Sequence, residues 1–246
     1  GDVRDLPVAS ITRLADGGRR EEIAQAWWLR ADPVSLEADL QQVRLLPTRY
    51  LDVYPEEARD LVAECNALLQ GDGLTLEAPE PTRWYLRLEA DPSLRTWPLS
   101  EAEDRDITGL LPEGAASPHW RALLTELQML LHSSTVNARR LERGRPPINS
   151  LWLWGGGFLP RLKPGRFADV YANDPVARGL ALLADRTPEL PPATAGDWLA
   201  QGGTNAESLV VPDDSGYDRA NVEVQAWAVW VTALEQSWFA PCVTLL

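Results

Sequence analysis

Two groups of side chains in this 246-residue chain have the types and spacing to do chemistry. The first is Asp213, Asp214 and Asp218, in the run Asp213-Asp214-Ser215-Gly216-Tyr217-Asp218, set directly before a helical stretch. Clustered carboxylates can hold a divalent cation through their oxygens. The same loop can also cap the helix that follows, which needs no metal. The second group lies between residues 137 and 157: Asn137, Arg140, Arg143, Asn149, Trp154, Gly155, Gly156 and Gly157. Guanidinium groups and the backbone N–H groups of a glycine turn can cradle an anion. Alternatively, the arginines form a solvated helix face, and the asparagines pin a helix-to-strand turn by bonding backbone groups. No Walker-type lysine follows the glycines, so they carry no nucleotide signature. Of the two histidines, His119 falls in a first helical turn and His132 at a helix end, where a nearby carbonyl can satisfy it.

Periodicity predicts the elements that position these residues. Ser117 and Pro118 begin a helix in which Trp120, Leu123, Leu124, Leu127, Leu130 and Leu131 recur at helical spacing, so one face is buried. A polar helical segment from about Thr135 to Arg143 stops at Gly144, with Pro146 and Pro147 behind it. The apolar run from Ile148 to Trp154 reads as a buried strand, and the three glycines as the turn that ends it. Helix, Pro-Pro turn, strand and glycine turn read as half of a parallel α/β unit, in which functional loops lie at the carboxyl ends of strands. Upstream, the pattern gives a short helix over 6–16, a strand over 26–30, a turn at Asp32-Pro33 and a second strand over 38–46 able to pair with the first. Pro55–Leu69 is a helix with Glu56 and Glu57 in its first turn, where negative charge is favoured. Residues 74–78 and 83–88 make a small antiparallel meander, and 89–116 a loop with a helical turn. Downstream come a basic loop with Arg161, Lys163 and Arg166, a helix over 174–184, a long loop over 185–207, a strand over 208–211 and a helix over 219–239.

Composition narrows the function classes. A formal net charge of −13 argues against a nucleic-acid backbone or an anionic membrane as main partner, because both need concentrated positive charge. A hydrophobic fraction of 45% is that of an ordinary globular protein. Cys65 and Cys242 fit no metal-ligand spacing; two free thiols in a reducing compartment is the reading, with one disulfide as the alternative. No signal peptide or spanning run is visible, which reads as soluble and cytoplasmic. Met129 is the only methionine, so Gly1 is either a cleavage scar or follows a missing amino-terminal piece. The eleven tryptophans read mainly as core packing. No repeat, low-complexity segment or clean linker is seen, so residues 1–246 are expected to form a single α/β domain, with a subregion inserted around 74–116.

The segment from His132 to Gly157, with Val136-Asn137, Arg140, Arg143-Gly144, Pro146-Pro147, Asn149 and the closing glycines, resembles part of the archaeal-type cofactor-independent phosphoglycerate mutases. The run from Asp213 to Asp218 resembles their metal-binding Asp-Glu-Ala-Gly-His-Asp loop. The stretch from Leu127 to Gly157, with 28–47 and 82–88, also looks like a bacterial group labelled RpfE-type regulatory protein. The resemblance covers most of the chain from about Trp28. It implies a mostly parallel sheet flanked by helices, alkaline-phosphatase-like but truncated, and two divalent metals that act on a phosphoryl group with a Ser or Thr nucleophile. The departures run in one direction. Tyr217 stands where the family has histidine, Trp154 where it has the arginine of an Arg-Gly-Ala-Gly turn, and the later Asp-His pair has no counterpart.

The expectation is therefore a catalytically depleted phosphoglycerate-mutase-like module with a regulatory or binding role, needing no cofactor and taking a small anionic ligand or a protein. The first alternative is a metal-dependent phosphomutase or phosphoesterase using Mn or Zn, with Asp213, Asp214 and Asp218 on the metal. The second is a protein-interaction domain. A cleft between the glycine turn and the acidic loop is where any ligand is expected.

Overall fold

The structure, a computed structural model, describes residues 6–39, 41–163, 165–201, 207–212 and 224–244. The chain divides into two compact units, residues 1–160 and 161–246. The first unit runs α1 (Val8–Ala15), α2 (Arg20–Ile23), β1 (Trp27–Ala38), β2 (Val43–Leu46), α3 (Pro55–Leu69), β3 (Thr75–Glu80), β4 (Arg83–Leu88), α4 (Leu99–Ala102), α5 (Ser117–Ser133), α6 (Thr135–Glu142) and β5 (Ser150–Gly157).

Strand β1 is the hub. It pairs with β4 through residues 27–30, with β2 through 35–38 and with β5 through 28–34, and β3 adds to β4. Every one of these pairings is antiparallel. The fold is a mixture of helices and sheets, but the mostly parallel sheet expected from the sequence is not found. The expectation came from apolar runs such as 148–154, which look like parallel strands because they are buried on both sides. Here both faces of an antiparallel sheet are covered. Trp27, Leu29, Ala31, Trp84, Leu86, Leu151 and Leu153 share one core with Leu61, Leu69, Leu123, Leu127 and Leu131 from α3 and α5. Val34 and Trp152 share another with Ala102 and Ile107, and Trp97 and Leu111 pack against it. Two-sided burial does not encode strand direction.

The turn expected at Asp32-Pro33 is also absent, since β1 runs straight through it. Proline cannot donate to a ladder. Pro33 falls between the residues that pair with β4 and those that pair with β2, so on that edge its missing N–H leaves nothing unmade. The strand expected over 38–46 is instead the end of β1, a turn and β2. Asp39 Oδ1 accepts from Gln41 N at 2.8 Å and Gln42 N at 3.0 Å and fixes that turn.

The three glycines lie inside β5 rather than in a turn beyond it. The register slips between Trp28 and Arg30, where Trp28 faces Gly157 and Arg30 faces Trp154, so β5 carries an extra residue. Gly155 takes φ +62° at this bulge, a conformation that costs glycine nothing. Gly156 is required for a different reason: a Cβ there would stand 2.0 Å from Cη2 of Trp27. A glycine triplet read as a loop is thus a bulged strand against which an indole ring packs.

The second unit holds β6 (Asp169–Ala172), α7 (Pro175–Leu183), α8 (Ala195–Ala200), β7 (Ser208–Val211), α9 (Val224–Leu234), a π-helical turn over 235–239 and α10 (Ala240–Val243). Strands β6 and β7 form the one parallel pair among the described residues. Val170, Ala172 and Ala181 make a small core. Asp174 Oδ1 caps α7 by accepting from Ala177 N at 2.7 Å. Helix α8 was read as loop, although Thr194 followed by Asp197 is a start signal; Thr194 Oγ1 accepts from Asp197 N at 3.1 Å. Among the described residues no helix is long and apolar enough to cross a membrane.

The indole contact gives a direct test. Gly156→Ala forces Trp27 or β5 to move and is expected to destabilise the first unit by about 1–3 kcal/mol, the usual cost of overpacking. Urea denaturation followed by tryptophan fluorescence measures it, and Gly165→Ala, where a Cβ meets nothing within 4 Å, is the control.

Candidate functional site

The residues singled out between 137 and 157 do not converge on one cavity. Asn137 is buried, and its side chain grips backbone: Nδ2 donates to Leu131 O at 2.8 Å and to Ile148 O at 2.7 Å, and Oδ1 accepts from Ile148 N at 2.8 Å. Asn149 does the same on β1, donating from Nδ2 to Leu36 O at 2.9 Å and accepting on Oδ1 from Leu36 N at 2.7 Å. Of the two readings left open for these asparagines, the backbone-pinning one describes their geometry. Arg143 is exposed, and its guanidinium makes no ion pair among the described residues. Asp213, Asp214 and Asp218, with Tyr217, lie outside the described residues.

Arg140 is fully buried. Each of its three nitrogens donates to protein: Nε to Pro146 O at 2.9 Å, Nη1 to Glu57 Oε2 at 2.6 Å, and Nη2 to Leu51 O. Glu57 is the shared acceptor. Its Oε2 also accepts from Tyr54 N at 3.1 Å at the start of α3, and Oε1 accepts from Arg145 Nη1 at 3.2 Å. Burial pulls the Arg140 guanidinium below the usual arginine value, Glu57 opposes this, and the positive charge of Arg145 adds to it.

A second buried polar cluster lies on the sheet around Asp32 of β1. Its Oδ1 accepts from Arg30 Nε at 3.0 Å, Arg30 Nη2 at 2.7 Å and Trp84 N at 3.2 Å. Its Oδ2 accepts from Trp154 Nε1 at 2.7 Å. The Arg30 guanidinium lies 5.3 Å from the Tyr85 ring and 5.1 Å from the Trp154 ring. Trp154 is therefore a hydrogen-bond donor to a buried carboxylate. Beside this cluster, Asp16, at the C-terminal end of α1, accepts from Tyr85 Oη at 2.6 Å and from Arg83 Nη2 at 2.6 Å, which ties the end of α1 to β4. Burial raises the Asp32 carboxyl above its ordinary value of 3.8, and the Arg30 charge and the donors oppose the shift without cancelling it.

Open space occurs elsewhere. A cleft of about 490 Å³ is lined by Leu36, Ala38, Val43, Ile107, Thr108, Leu111, Gln128, His132 and Asn149. It is within the usual size range of small-molecule sites. A separate small pocket of about 30 Å³ shares Leu36, Ile107, Leu111 and Gln128 with it and is also lined by Leu124, Trp152 and Leu153. Of the eight residues expected between 137 and 157, only Asn149 lines this cleft. His132 is the other lining residue that the sequence singles out, and Gln128 is not singled out there. The available signal was their spacing of four, which puts both on one side of α5. A smaller pocket of about 220 Å³ is lined by Arg13, Arg19, Arg87, Glu22 and Glu77 among others. Two of its arginines are already paired, Arg13 with Glu77 at 2.7 Å and Arg19 with Glu22 at 3.0 Å. Among the described residues, no group of three or more His, Cys, Asp or Glu side chains is placed to hold a metal ion.

Comparison with known proteins bears on this arrangement. No family model matches the chain. A 2,3-bisphosphoglycerate-independent phosphoglycerate mutase of Methanosarcina barkeri is 30% identical over 113 residues, 45% of this chain and 28% of the relative. The corresponding enzyme 2 of Methanothermobacter thermautotrophicus is 30% identical over 128 residues, 51% of this chain and 28% of the relative. This chain is a distant homologue of those enzymes over part of its length. The matches span little more than a quarter of the relatives' own length. The solved cofactor-independent phosphoglycerate mutase of Thermoplasma acidophilum aligns with 92% of this chain and 64% of its own at 15% identity and a TM-score of 0.43.

Both buried clusters yield tests. Arg140→Met leaves Glu57 in the interior without its closest partner, and a loss of about 3–5 kcal/mol is expected, as for other broken buried pairs. An arginine kept for a ligand would cost far less, and urea denaturation distinguishes the two. For Asp32 the folded-state pKa lies above the unfolded one, so its contribution to stability is complete below the unfolded value and is lost as pH rises through the folded value. Wild type is therefore expected to lose stability relative to Asp32→Asn as pH rises from about 3.9 towards neutrality, measured as the difference in unfolding free energy across that window.

Proposed function

We propose that this protein is a binding or regulatory module built on a phosphoglycerate-mutase-related scaffold, with its phosphoryl-transfer role lost. The observation that carries the reading is the state of Arg140, buried and bonded through all three nitrogens to Glu57, Pro146 and Leu51. An arginine held this way and fully buried does not present its guanidinium to a substrate anion arriving from solvent. Asn137 and Asn149 support the reading in the same way, since both ends of each amide hold backbone. Gly155–Gly157 support it because their bulge packs against Trp27. The RpfE-type regulatory label and a cytoplasmic location belong to the same proposal.

Partial identity to two named mutases favours one competing reading, a metal-dependent phosphomutase or phosphoesterase with Mn or Zn on Asp213, Asp214 and Asp218. A protein-interaction role is favoured by α9, which has no charged residue and leaves Val224 75% and Val229 70% exposed. One experiment separates the first two: the purified chain is given 3-phosphoglycerate with added Mn, and its metal content is measured after dialysis. The expected result is no turnover and no stoichiometric metal. Sustained formation of 2-phosphoglycerate, with two retained ions per chain, overturns the proposal.

A further inference from the structure

The 490 Å³ cleft is walled by apolar side chains and carries few polar atoms, and two of the groups supplying them are unspent. Gln128 and His132 sit one turn apart on α5 and face the same space. Gln128 uses its Nε2 to donate to Ser150 Oγ at 3.1 Å, and its Oε1 receives no hydrogen bond from the described residues. Neither ring nitrogen of His132 has a hydrogen-bond partner among the described residues. The remaining polar lining is already occupied. Thr108 Oγ1 donates to Asp106 Oδ1 at 2.6 Å, and Asn149 is bonded at both ends of its amide to Leu36. Gln128 is half-buried and His132 exposed, so both groups are open to solvent, and a ligand hydroxyl can take the place of water on them.

The charges around the cleft decide what kind of ligand. The lining contains no arginine, lysine, aspartate or glutamate. Asp106 adjoins it through Thr108, and Asp39 lies close enough to Asp106 for the two charges to interact. Hydrogen bonds from Thr108 hold the Asp106 carboxyl below the ordinary aspartate value, and bonds from Gln41 and Gln42 do the same for Asp39. Both are fully exposed carboxylates. An anion entering here gains no cation of fixed charge and meets two negative neighbours, whereas a neutral hydroxyl meets an acceptor on Gln128 and the imidazole of His132. From the open Gln128 oxygen, the open His132 ring and the largely apolar lining, we infer that this cleft is a binding site for a small neutral molecule with an apolar body and one hydroxyl, of the phenol or alcohol class. The body lies along Leu36, Ile107 and Leu111, and the hydroxyl bonds Gln128 Oε1. This names a ligand class for the binding-module reading and rests on it, yet the two fail separately: mutase turnover defeats that reading alone, and the titration below defeats this one alone.

The test uses the full chain and three probes: 4-propylphenol, 4-propylbenzoate, which has the same body with a charged head, and inorganic phosphate. Calorimetric titration is expected to show saturable one-site binding of 4-propylphenol, with 4-propylbenzoate at least about tenfold weaker and phosphate silent. Gln128→Leu removes the acceptor and is expected to weaken the phenol about tenfold, the equivalent of one lost hydrogen bond. Ala38→Trp fills the exposed rim, should leave the fold intact by circular dichroism, and is expected to weaken the phenol by a similar factor. Equal or tighter binding of the benzoate, unchanged affinity in both variants, or no saturable phenol binding each overturns the inference.

Discussion

The first unit depends on a guanidinium that has been taken out of water. Arg140 of α6 reaches the start of α3 at Glu57, the carbonyl of Leu51 before that helix and the carbonyl of Pro146 beyond its own. Desolvating an arginine and a glutamate is expensive, and a well-packed apolar pair would often serve stability equally well. The ion pair adds direction. Its donors fit only these acceptors, so α6 can meet α3 in one rotation and at one height. The same carboxylate closes the first turn of α3 through Tyr54 N, so one acid both starts a helix and receives another helix's arginine.

On the other side of the core, β1 distributes order in a similar way. Its three antiparallel neighbours leave it little freedom, and Asp32 draws Arg30, Trp84 and Trp154 to one point. The bulge at Gly155 then brings β5 against Trp27 on one side and Val8 of α1 on the other. Asn149 continues the pairing of β1 beyond the point where β5 begins, by offering a side-chain amide in place of a backbone one. That substitution leaves the end of β1 and the hairpin to β2 standing as one wall of the open cleft, with α5 as another.

Much of this was legible in the residues. Helix α3 has the bounds that the proline, the acids and the apolar stripe indicate, and the meander of β3 and β4 follows from alternation in 83–88. What could not be read has physical reasons. Two-sided burial is identical for parallel and antiparallel strands, so β5 was assigned a direction its composition does not contain. Pro33 looked like a turn because the gap between β4 and β2 that accommodates it is a tertiary fact. The glycine triplet looked like a loop because the indole it receives lies more than a hundred residues away in the chain. The candidate site suffered most. Asparagine and arginine at helix ends look the same whether they face a ligand or a carbonyl, and only distances such as those of Asn137 to Ile148 separate the cases.

The residues that carry the likeness to phosphoglycerate mutases are largely the ones that hold this chain together. Asn137, Arg140, Pro146, Asn149 and Gly155–Gly157 each make, or allow, a contact between elements of the first unit. Side chains of this kind are restrained by packing and backbone bonding, whatever a protein does with its surface. Residues that face a ligand answer to a different constraint and can change while the frame stays. Partial identity at the 30% level can therefore rest on interactions of the frame. An acceptor that bonds no other part of the molecule has to be judged by what it faces, and Gln128 Oε1 faces a cleft lined by no Arg, Lys, Asp or Glu in a chain of net charge −13.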